Sequence, residues 1–105
     1  MNKVLSTLGL ARRAKKIVFG TDAIIDELSN KKLDIIFVAS DASEKTIDKI
    51  ERKGYFYNVP VNKSFTSDEL NNSMGTYNIK VFGLVDHGFY KSLKNLLLEE
   101  VEREK

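Results

Sequence analysis

The run from residue 33 to 39 (LDIIFVA) limits the fold of this chain more than any other stretch, because six of its seven residues are apolar. A strand with one face in water alternates apolar and polar residues, whereas a nearly continuous apolar run is typical of a central strand covered on both faces. Three further strands are predicted, at 17–19, 57–61 and 79–85. Pro60 cannot donate a hydrogen bond to a neighbouring strand, so its strand is predicted to lie at a sheet edge.

Five helical segments alternate with the four strands. Each has apolar residues at helical spacing, and most begin or end at a residue that commonly caps a helix. They are predicted at 2–15, from the N-cap Thr21, from Asp41 or Ser43 to Gly54, from a capping box at Thr66 to Gly75, and from the N-cap Asp86. This alternation predicts an α/β fold, here a three-layer α/β/α sandwich with a four-stranded mixed sheet. At 105 residues we expect a single domain over 1–105.

The helical periodicity also predicts which side of each helix is buried. In the first helix the residues predicted to face solvent are Ser6, Gly9, Arg13 and Lys16. The predicted core residues are Ile24, Ile25 and Leu28 in the second helix, Leu70 and Met74 in the fourth, and Phe89, Leu93, Leu96, Leu97 and Val101 in the fifth. The aromatic run Tyr55, Phe56 and Tyr57 is expected to close the core, although aromatic rings also stack on bases.

Composition excludes several classes of protein. Cysteine is absent and His87 is the only imidazole, so we expect no disulfide, no metal site and no cofactor. No apolar run approaches the ~18 residues that span a bilayer, and the N-terminus lacks a signal-peptide pattern, so we expect a cytoplasmic protein without a membrane partner. The formal charge is +2, but residues 1–32 hold seven cations against three anions, whereas glutamates dominate 95–105.

The stretch 10–23 (LARRAKKIVFGTDA) is the strongest candidate for a binding site. Its four cations are Arg12, Arg13, Lys15 and Lys16. Gly20 and Thr21 then open a helix whose first NH groups have no partner inside that helix. Cations beside a helix N-terminus favour an anion such as phosphate. The alternative is a solvated helix end whose cations complement the helix dipole.

Four short segments follow one another in an order that is more specific than any of them alone. They are LGLARRAKKIVFG at 8–20, VASDASEKT at 38–46, YNVPV at 57–61 and SDELNNSMG at 67–75. Together, over roughly residues 3 to 95, they resemble the small kink-turn RNA-binding family of the ribosomal L-seven-Ae and L-thirty-e type, most closely its bacterial YlxQ-like branch.

The resemblance implies an α/β/α sandwich that binds structured RNA at the turn before helix two, at the start of that helix, and at the loop before the last strand. The corresponding residues here are Gly20, Thr21, Asp22, Ala23, Met74, Gly75, Thr76 and Tyr77. Kink-turn readers carry glycine, any residue, asparagine, glutamate, two variable residues and lysine at the start of helix two. This chain has Gly20, Thr21, Asp22, Ala23, Ile24, Ile25 and Asp26, so only the glycine is shared. In helix four the family's Leu-Gly pair is replaced by Leu70-Asn71.

The function implied by the resemblance is non-enzymatic binding of structured RNA, ribosomal or kink-turn-like, and we expect a monomer. Arg13 and Lys16 are predicted to contact phosphates, Gly20 and Thr21 to bring NH groups against the backbone, and residues 74–77 to pack on an extruded base. The alternative is a protein-interaction module on the same fold. In that case Asp22, Ala23 and Asp26, which replace the family's asparagine, glutamate and lysine, would mark a surface that contacts a basic ribosomal protein or translation factor.

No catalytic residue is predicted. Asp22 and Asp26 share one helix face, but a carboxylate pair without further ligands is usually solvated. Asp86 beside His87 is better explained as an N-cap than as the partner of a catalytic imidazole. The glycine of FGTDA is not a phosphate loop, because the second glycine and the Gly-Lys-Ser/Thr ending are absent.

Overall fold

The computed structural model describes residues 2–30 and 32–104, with side chains described up to residue 99. In this part of the chain five helices alternate with four strands. The elements are α1 Lys3–Arg13, β1 Ile17–Phe19, α2 Thr21–Ser29, β2 Ile35–Val38, α3 Glu44–Tyr57, β3 Val61–Asn62, α4 Ser67–Met74, β4 Val81–Leu84 and α5 His87–Glu104. Among the described residues, no helix combines the length and the apolar character that crossing a bilayer requires.

The four strands form one mixed sheet in the order β1-β4-β2-β3. β4 runs antiparallel to both of its neighbours, pairing Phe19 with Phe82 on one side and Val38 with Val81 on the other. β2 and β3 are parallel. The predicted mixed sheet is therefore confirmed, with the apolar run as an inner strand and the strand after Pro60 at an edge.

Both faces of the sheet are covered by helices. On one face α1, α4 and α5 pack over a cluster that includes Ile35 and Phe37, and on the other α2 and α3 pack over a cluster that includes Ile36 and Val38. Alternate residues of a strand point to opposite faces, so a strand buried on both sides needs apolar residues throughout. This explains why all four residues of β2 are buried.

Several caps follow the predicted pattern. The capping box at Thr66 and the left-handed C-cap Gly75 (φ 67°) enclose α4, and the Asp86 carboxylate caps α5 by accepting from the Phe89 NH at 3.0 Å. The predicted N-cap Thr21 is wrong, because Gly20 (φ 88°, ψ 153°) is the N-cap of α2 and Thr21 is its first residue. Ser43, and not Asp41, caps α3.

Two glycines were assigned roles that the packing overturns. Gly9 was expected to face solvent, but a Cβ there would lie 2.6 Å from the Ser73 carbonyl oxygen, so Gly9 is where α1 crosses close to α4. Gly54 was expected to end α3. It is buried within the helix instead, where a Cβ would lie 2.5 Å from Val61 Cγ2, and α3 continues to Tyr57 before the left-handed Asn58 (φ 59°).

The longer α3 changes the position of the aromatic run. Tyr57 ends the helix and packs against the core cluster of α2 and α3, and β3 is reduced to two residues. Tyr55 and Phe56 are 91% and 78% exposed, so the expectation that they close the core is wrong for both.

Five of the ten residues predicted to face the core from α2, α4 and α5 are fully or nearly fully buried, namely Ile24, Leu28, Leu70, Met74 and Leu93. Phe89, Leu96 and Leu97 are half-buried and pack against the core cluster. Ile25 is half-buried, and Val101 lies outside the residues whose side chains are described.

Candidate nucleic-acid interface

Four connections of the chain meet at one end of the sheet, where β1 and β2 finish and β4 begins. The Gly20 NH donates to the Val81 carbonyl at 3.0 Å, which joins the β1–α2 turn to the first residue of β4. The Ala39 NH donates to the Lys80 carbonyl at 2.8 Å, and the Ser40 NH donates to the Phe65 carbonyl at 2.8 Å. These bonds add the β2–α3 loop and the segment before α4. We call this end of the sheet the loop end.

The two turns that the resemblance implicates both lie at the loop end. Residues 20–23 follow β1 directly, and residues 75–77 belong to the connection that enters β4 beside Gly20. Asp22 and Ala23 are exposed, and Tyr77 is 90% exposed. The structure therefore brings Gly20, Thr21, Asp22, Ala23, Gly75, Thr76 and Tyr77 to one end of the molecule.

Gly20 is required by its backbone conformation. Its φ of 88° and ψ of 153° lie in a region that is essentially limited to glycine, although a Cβ would meet nothing within 4 Å. Gly20 has no side chain to cap α2, so the first NH groups of α2 lack a side-chain acceptor from the N-cap. The first NH groups of α2 can therefore donate hydrogen bonds to an anionic group such as phosphate.

The side chain of Asn71 holds the loop before β4 through hydrogen bonds. From the sequence, Asn71 was noted only because it replaces the family's glycine. Its side chain is 7% exposed. Its Nδ2 donates to the carbonyl oxygens of Ser67 (2.7 Å) and Ile79 (2.9 Å), and its Oδ1 accepts from Thr76 Oγ1 (2.7 Å) and the Ile79 NH (3.1 Å). The sequence spacing could have indicated this role. Ser67, Leu70, Asn71 and Met74 have the spacing of residues on one side of a helix, and in the structure all four are buried.

A second polar cluster joins the β2–α3 loop to α4 and β4. The Asp41 carboxylate accepts from the Ser67 NH at 2.8 Å and from the Ser67 hydroxyl at 2.7 Å. Lys80 Nζ donates to Ser67 Oγ at 3.1 Å and lies 3.7 Å from the carboxylate. The hydrogen bonds from the Ser67 hydroxyl and NH, with a smaller contribution from Lys80, hold the pKa of Asp41 below its ordinary value. Asp41 therefore accepts hydrogen bonds from the first residue of α4, and the prediction that it caps α3 is wrong.

The cations of 10–23 are dispersed. Arg12 approaches the loop end, since its guanidinium carbon lies 5.1 Å from the ring centroid of Phe19, the residue before Gly20. Its Nε is buried and, among the described residues, has no hydrogen-bond partner. Arg12 is among the four cations named from the sequence, but the phosphate contacts were predicted for Arg13 and Lys16.

Lys16 lies away from the turn at Gly20, and Arg13 lies beside α4. The Lys16 carbonyl accepts from the Val85 NH at 2.9 Å, so Lys16 lies at the far end of β1, about 13 Å from Gly20 at the usual rise per residue of a strand. Arg13 lines a groove of about 600 Å³ between α1 and α4. Met74 is 5% exposed and belongs to the core, so it presents little surface to a ligand.

Asp22 and Asp26 are both exposed on α2. Among the side chains that the structure describes, in residues 2–30 and 32–99, no group of three or more His, Cys, Asp or Glu is arranged to hold a metal ion. His87 Nδ1 lies 3.7 Å from Asp34, and Asp86 acts as an N-cap.

The chain matches the sequence profile of the Ribosomal protein L7Ae/L30e/S12e/Gadd45 family over residues 2–94. RNA-binding protein YlxQ of Enterococcus faecium is 41% identical over 95 residues, which cover 90% of this chain and 91% of that protein. RNA-binding protein YlxQ of Bacillus subtilis (strain 168) is 37% identical over 90 residues, which cover 86% of this chain and 90% of that protein.

Solved structures share the architecture. A protein of unknown function from Bacillus halodurans C is 30% identical with a TM-score of 0.87, covering 91% of this chain and 97% of that one. The Giardia lamblia 15.5kD RNA binding protein has a TM-score of 0.75 at 16% identity, covering 95% and 82%, which is a likeness of fold. The profile match and the two curated relatives confirm the resemblance to the bacterial YlxQ type, and this chain belongs to the Ribosomal protein L7Ae/L30e/S12e/Gadd45 family.

Proposed function

We propose that residues 1–105 form a single domain that binds structured RNA, ribosomal or kink-turn-like, at the loop end, without catalysis. The observation that carries this proposal is the hydrogen bond between Gly20 and Val81, which places the start of α2 beside the loop that enters β4. The names of the two curated relatives, both RNA-binding proteins, support the same ligand class.

The contacts available at the loop end suit the RNA backbone better than base edges. The start of α2 offers NH groups to a phosphate, and two cations lie at the loop end: Arg12 through its contact with the Phe19 ring, and Lys80 through its hydrogen bond to Ser67. Tyr77 presents an exposed ring on which an unstacked base can rest. Asp22 and Ala23 lack the amide donor and the carboxylate acceptor that the family's kink-turn readers carry at these positions. Recognition by shape and stacking is therefore the mode we propose.

A matched pair of tyrosines tests the proposal. Tyr77 and Tyr55 are 90% and 91% exposed, so replacing either with alanine removes the same ring from solvent-exposed positions. Loss of a base–aromatic stack costs about 1–3 kcal/mol. We expect Tyr77→Ala to weaken binding of a kink-turn RNA by about that amount in fluorescence anisotropy, and Tyr55→Ala to leave it unchanged. Equal affinity of Tyr77→Ala and wild type would show that this loop does not contact the RNA.

A protein-interaction module is the second candidate, because exposed Asp22 and Asp26 place two carboxylates on α2 near the loop end. Such a surface suits a basic ribosomal protein or translation factor. Affinity capture of partners before and after RNase treatment separates the two functions. Partners that remain bound after RNA removal, and that are lost with the double variant Asp22→Asn and Asp26→Asn, would support the protein interface.

A further inference from the structure

The exposed surface of α3 is divided lengthwise by charge. Its acidic side carries Glu44, Asp48 and Glu51, and its basic side carries Lys45, Lys49, Arg52 and Lys53. Glu51 pairs with Lys63 at 3.0 Å, so the acidic side faces the β3 edge of the sheet. The basic side therefore faces α2, which packs beside α3 on the same sheet face.

Three lysines form the centre of the basic side. Lys45, Lys49 and Lys53 are spaced four residues apart, and we call them the lysine row. Arg52 pairs with Asp48, whereas in the described part of the chain no Nζ of the lysine row lies within 4.0 Å of a carboxylate oxygen. Like charges four residues apart on a helix repel one another, so the lysine row destabilises α3. A bound anion would reduce this repulsion.

The lysine row ends at an exposed aromatic ring. Phe56 comes three residues after Lys53, which places it on the same side of α3, and it is 78% exposed. Its ring meets Tyr57 edge-on at a centroid distance of 4.9 Å, so Phe56 is supported from behind. The lysine row and Arg52 border a surface depression of about 360 Å³. Cations in a row with an aromatic ring at one end form the combination with which proteins bind single-stranded nucleic acid.

The lysine row begins near the loop end. Lys45 is the second residue of α3, and the loop that precedes α3 is joined to β4 and to the segment before α4 by the Ala39 and Ser40 hydrogen bonds. From Lys45 the row leads away from the loop end at about 6 Å per step. A strand that leaves an RNA element bound at the loop end can therefore follow α3.

We propose that the lysine row and Phe56 form a second RNA-binding surface, which contacts the phosphodiester backbone of a single-stranded segment next to the structured element and stacks one of its bases. This inference rests on the proposed function. The ligand class follows from charge complementarity between a polyanion and three ammonium groups that have no carboxylate partner among the described side chains. It follows also from the exposed ring, which a purely electrostatic contact would not need.

The test compares one structured RNA with the same RNA carrying a single-stranded extension of about ten nucleotides, a length within the usual site sizes. Affinities are measured by fluorescence anisotropy over a KCl series. The triple variant Lys45→Ala, Lys49→Ala and Lys53→Ala is compared with the control Lys32→Ala, Lys91→Ala and Lys94→Ala, which removes the same charge from exposed lysines elsewhere. Circular dichroism checks that both variants are folded.

We expect wild type to bind the extended RNA more tightly than the trimmed one, and the lysine-row variant to lose this advantage. The slope of log K against log salt for the extended RNA should fall by about 2, because each backbone contact to a single strand contributes about 0.7. Phe56→Ala should weaken binding of the extended RNA by about 5-fold or more, and the control lysines should change neither affinity.

Three results would overturn the inference. If the lysine-row variant and Phe56→Ala bind the extended RNA as wild type does while Tyr77→Ala binds both RNAs less tightly, α3 is not an RNA surface and the proposed function stands. If wild type binds neither RNA, both proposals fail. If the lysine-row variant binds both RNAs as wild type does and loses only its binding to phosphatidylserine vesicles, the lysine row and Phe56 contact a membrane and not RNA.

Discussion

Asn71 is a polar residue on the buried side of α4, and its amide makes hydrogen bonds in both directions along the chain. A buried amide costs free energy unless its donors and acceptor are satisfied, and here both ends of the amide have two partners. The buried amide fixes the conformation of the loop between α4 and β4, because it bonds Thr76 and Ile79 to α4. The conformation of the loop that presents Tyr77 therefore depends on one side chain.

Asn71→Ala should destabilise the fold by about 2–4 kcal/mol, because it removes several hydrogen bonds and leaves the Ile79 NH and the carbonyl oxygens of Ser67 and Ile79 without this partner. Urea unfolding followed by circular dichroism measures the loss. The control is Asn72→Ala, since Asn72 is the exposed next residue and its replacement should change stability by no more than about 0.5 kcal/mol. Similar unfolding midpoints for the two variants would show that the Asn71 amide has no structural role.

At the scale of elements, the ends of α4 follow local rules, and the contacts of α1 and α3 do not. Thr66, Glu69 and Gly75 interact with residues close to them in the chain, so their caps can be predicted from spacing. Gly9 and Gly54 are required by partners from other elements, namely Ser73 on α4 and Val61 on β3. A glycine within a helix lowers helix propensity, so the close approach of two elements must offset that cost.

Gly9→Ala should destabilise the protein by about 1–3 kcal/mol even though alanine is the better helix former, because the new methyl group would overlap the Ser73 carbonyl oxygen. Thermal unfolding compares it with Ser6→Ala, which replaces an exposed residue of the same helix and should be neutral or slightly stabilising. A gain in stability for Gly9→Ala would mean that α1 and α4 can separate without loss.

At the scale of the whole molecule, the loop end is joined by contacts between residues far apart in the chain. Asp41 is bonded to Ser67, 26 residues away, and Lys80 joins them from the start of β4. This cluster links the β2–α3 loop, α4 and β4. Around it lie the turn at Gly20 and the beginning of the lysine row, so the candidate RNA surfaces share one supporting structure.

The Asp41 carboxylate should make stability depend on acid pH. Its pKa is lower in the folded than in the unfolded state, because the Ser67 hydroxyl and NH stabilise the ionised form. Its contribution is therefore fully present above the unfolded value of 3.8 and is lost as the pH falls through the lower folded value. Asp41→Asn should be less stable than wild type at pH 7, and the difference should shrink as the pH falls below 4. Thermal unfolding between pH 7 and 3 measures it.

The control for this pH dependence is Ser67→Ala, which keeps the Asp41 carboxylate and removes the hydroxyl that donates to it at 2.7 Å. In the Ser67→Ala background, we expect Asp41→Asn to produce a smaller acid-dependent change than in wild type. If the Asp41→Asn difference stays constant over the whole pH range, the bond to Ser67 does not stabilise the ionised form.

The sequence by itself determined the order of the elements, the apolar inner strand and the caps of α4, because these follow from periodicity and from contacts a few residues apart. It also predicted a mixed four-stranded sheet, but the strand order β1-β4-β2-β3 required the tertiary structure. Its family resemblance also indicated the two turns that meet at the loop end. Only the tertiary structure decided which residues surround those turns. Arg12 and Asn71 lie there while Lys16 does not, and Gly54 continues a helix that it was expected to end. The physical reason is that such roles depend on partners brought close by packing, and no local spacing specifies which residues of distant elements will meet.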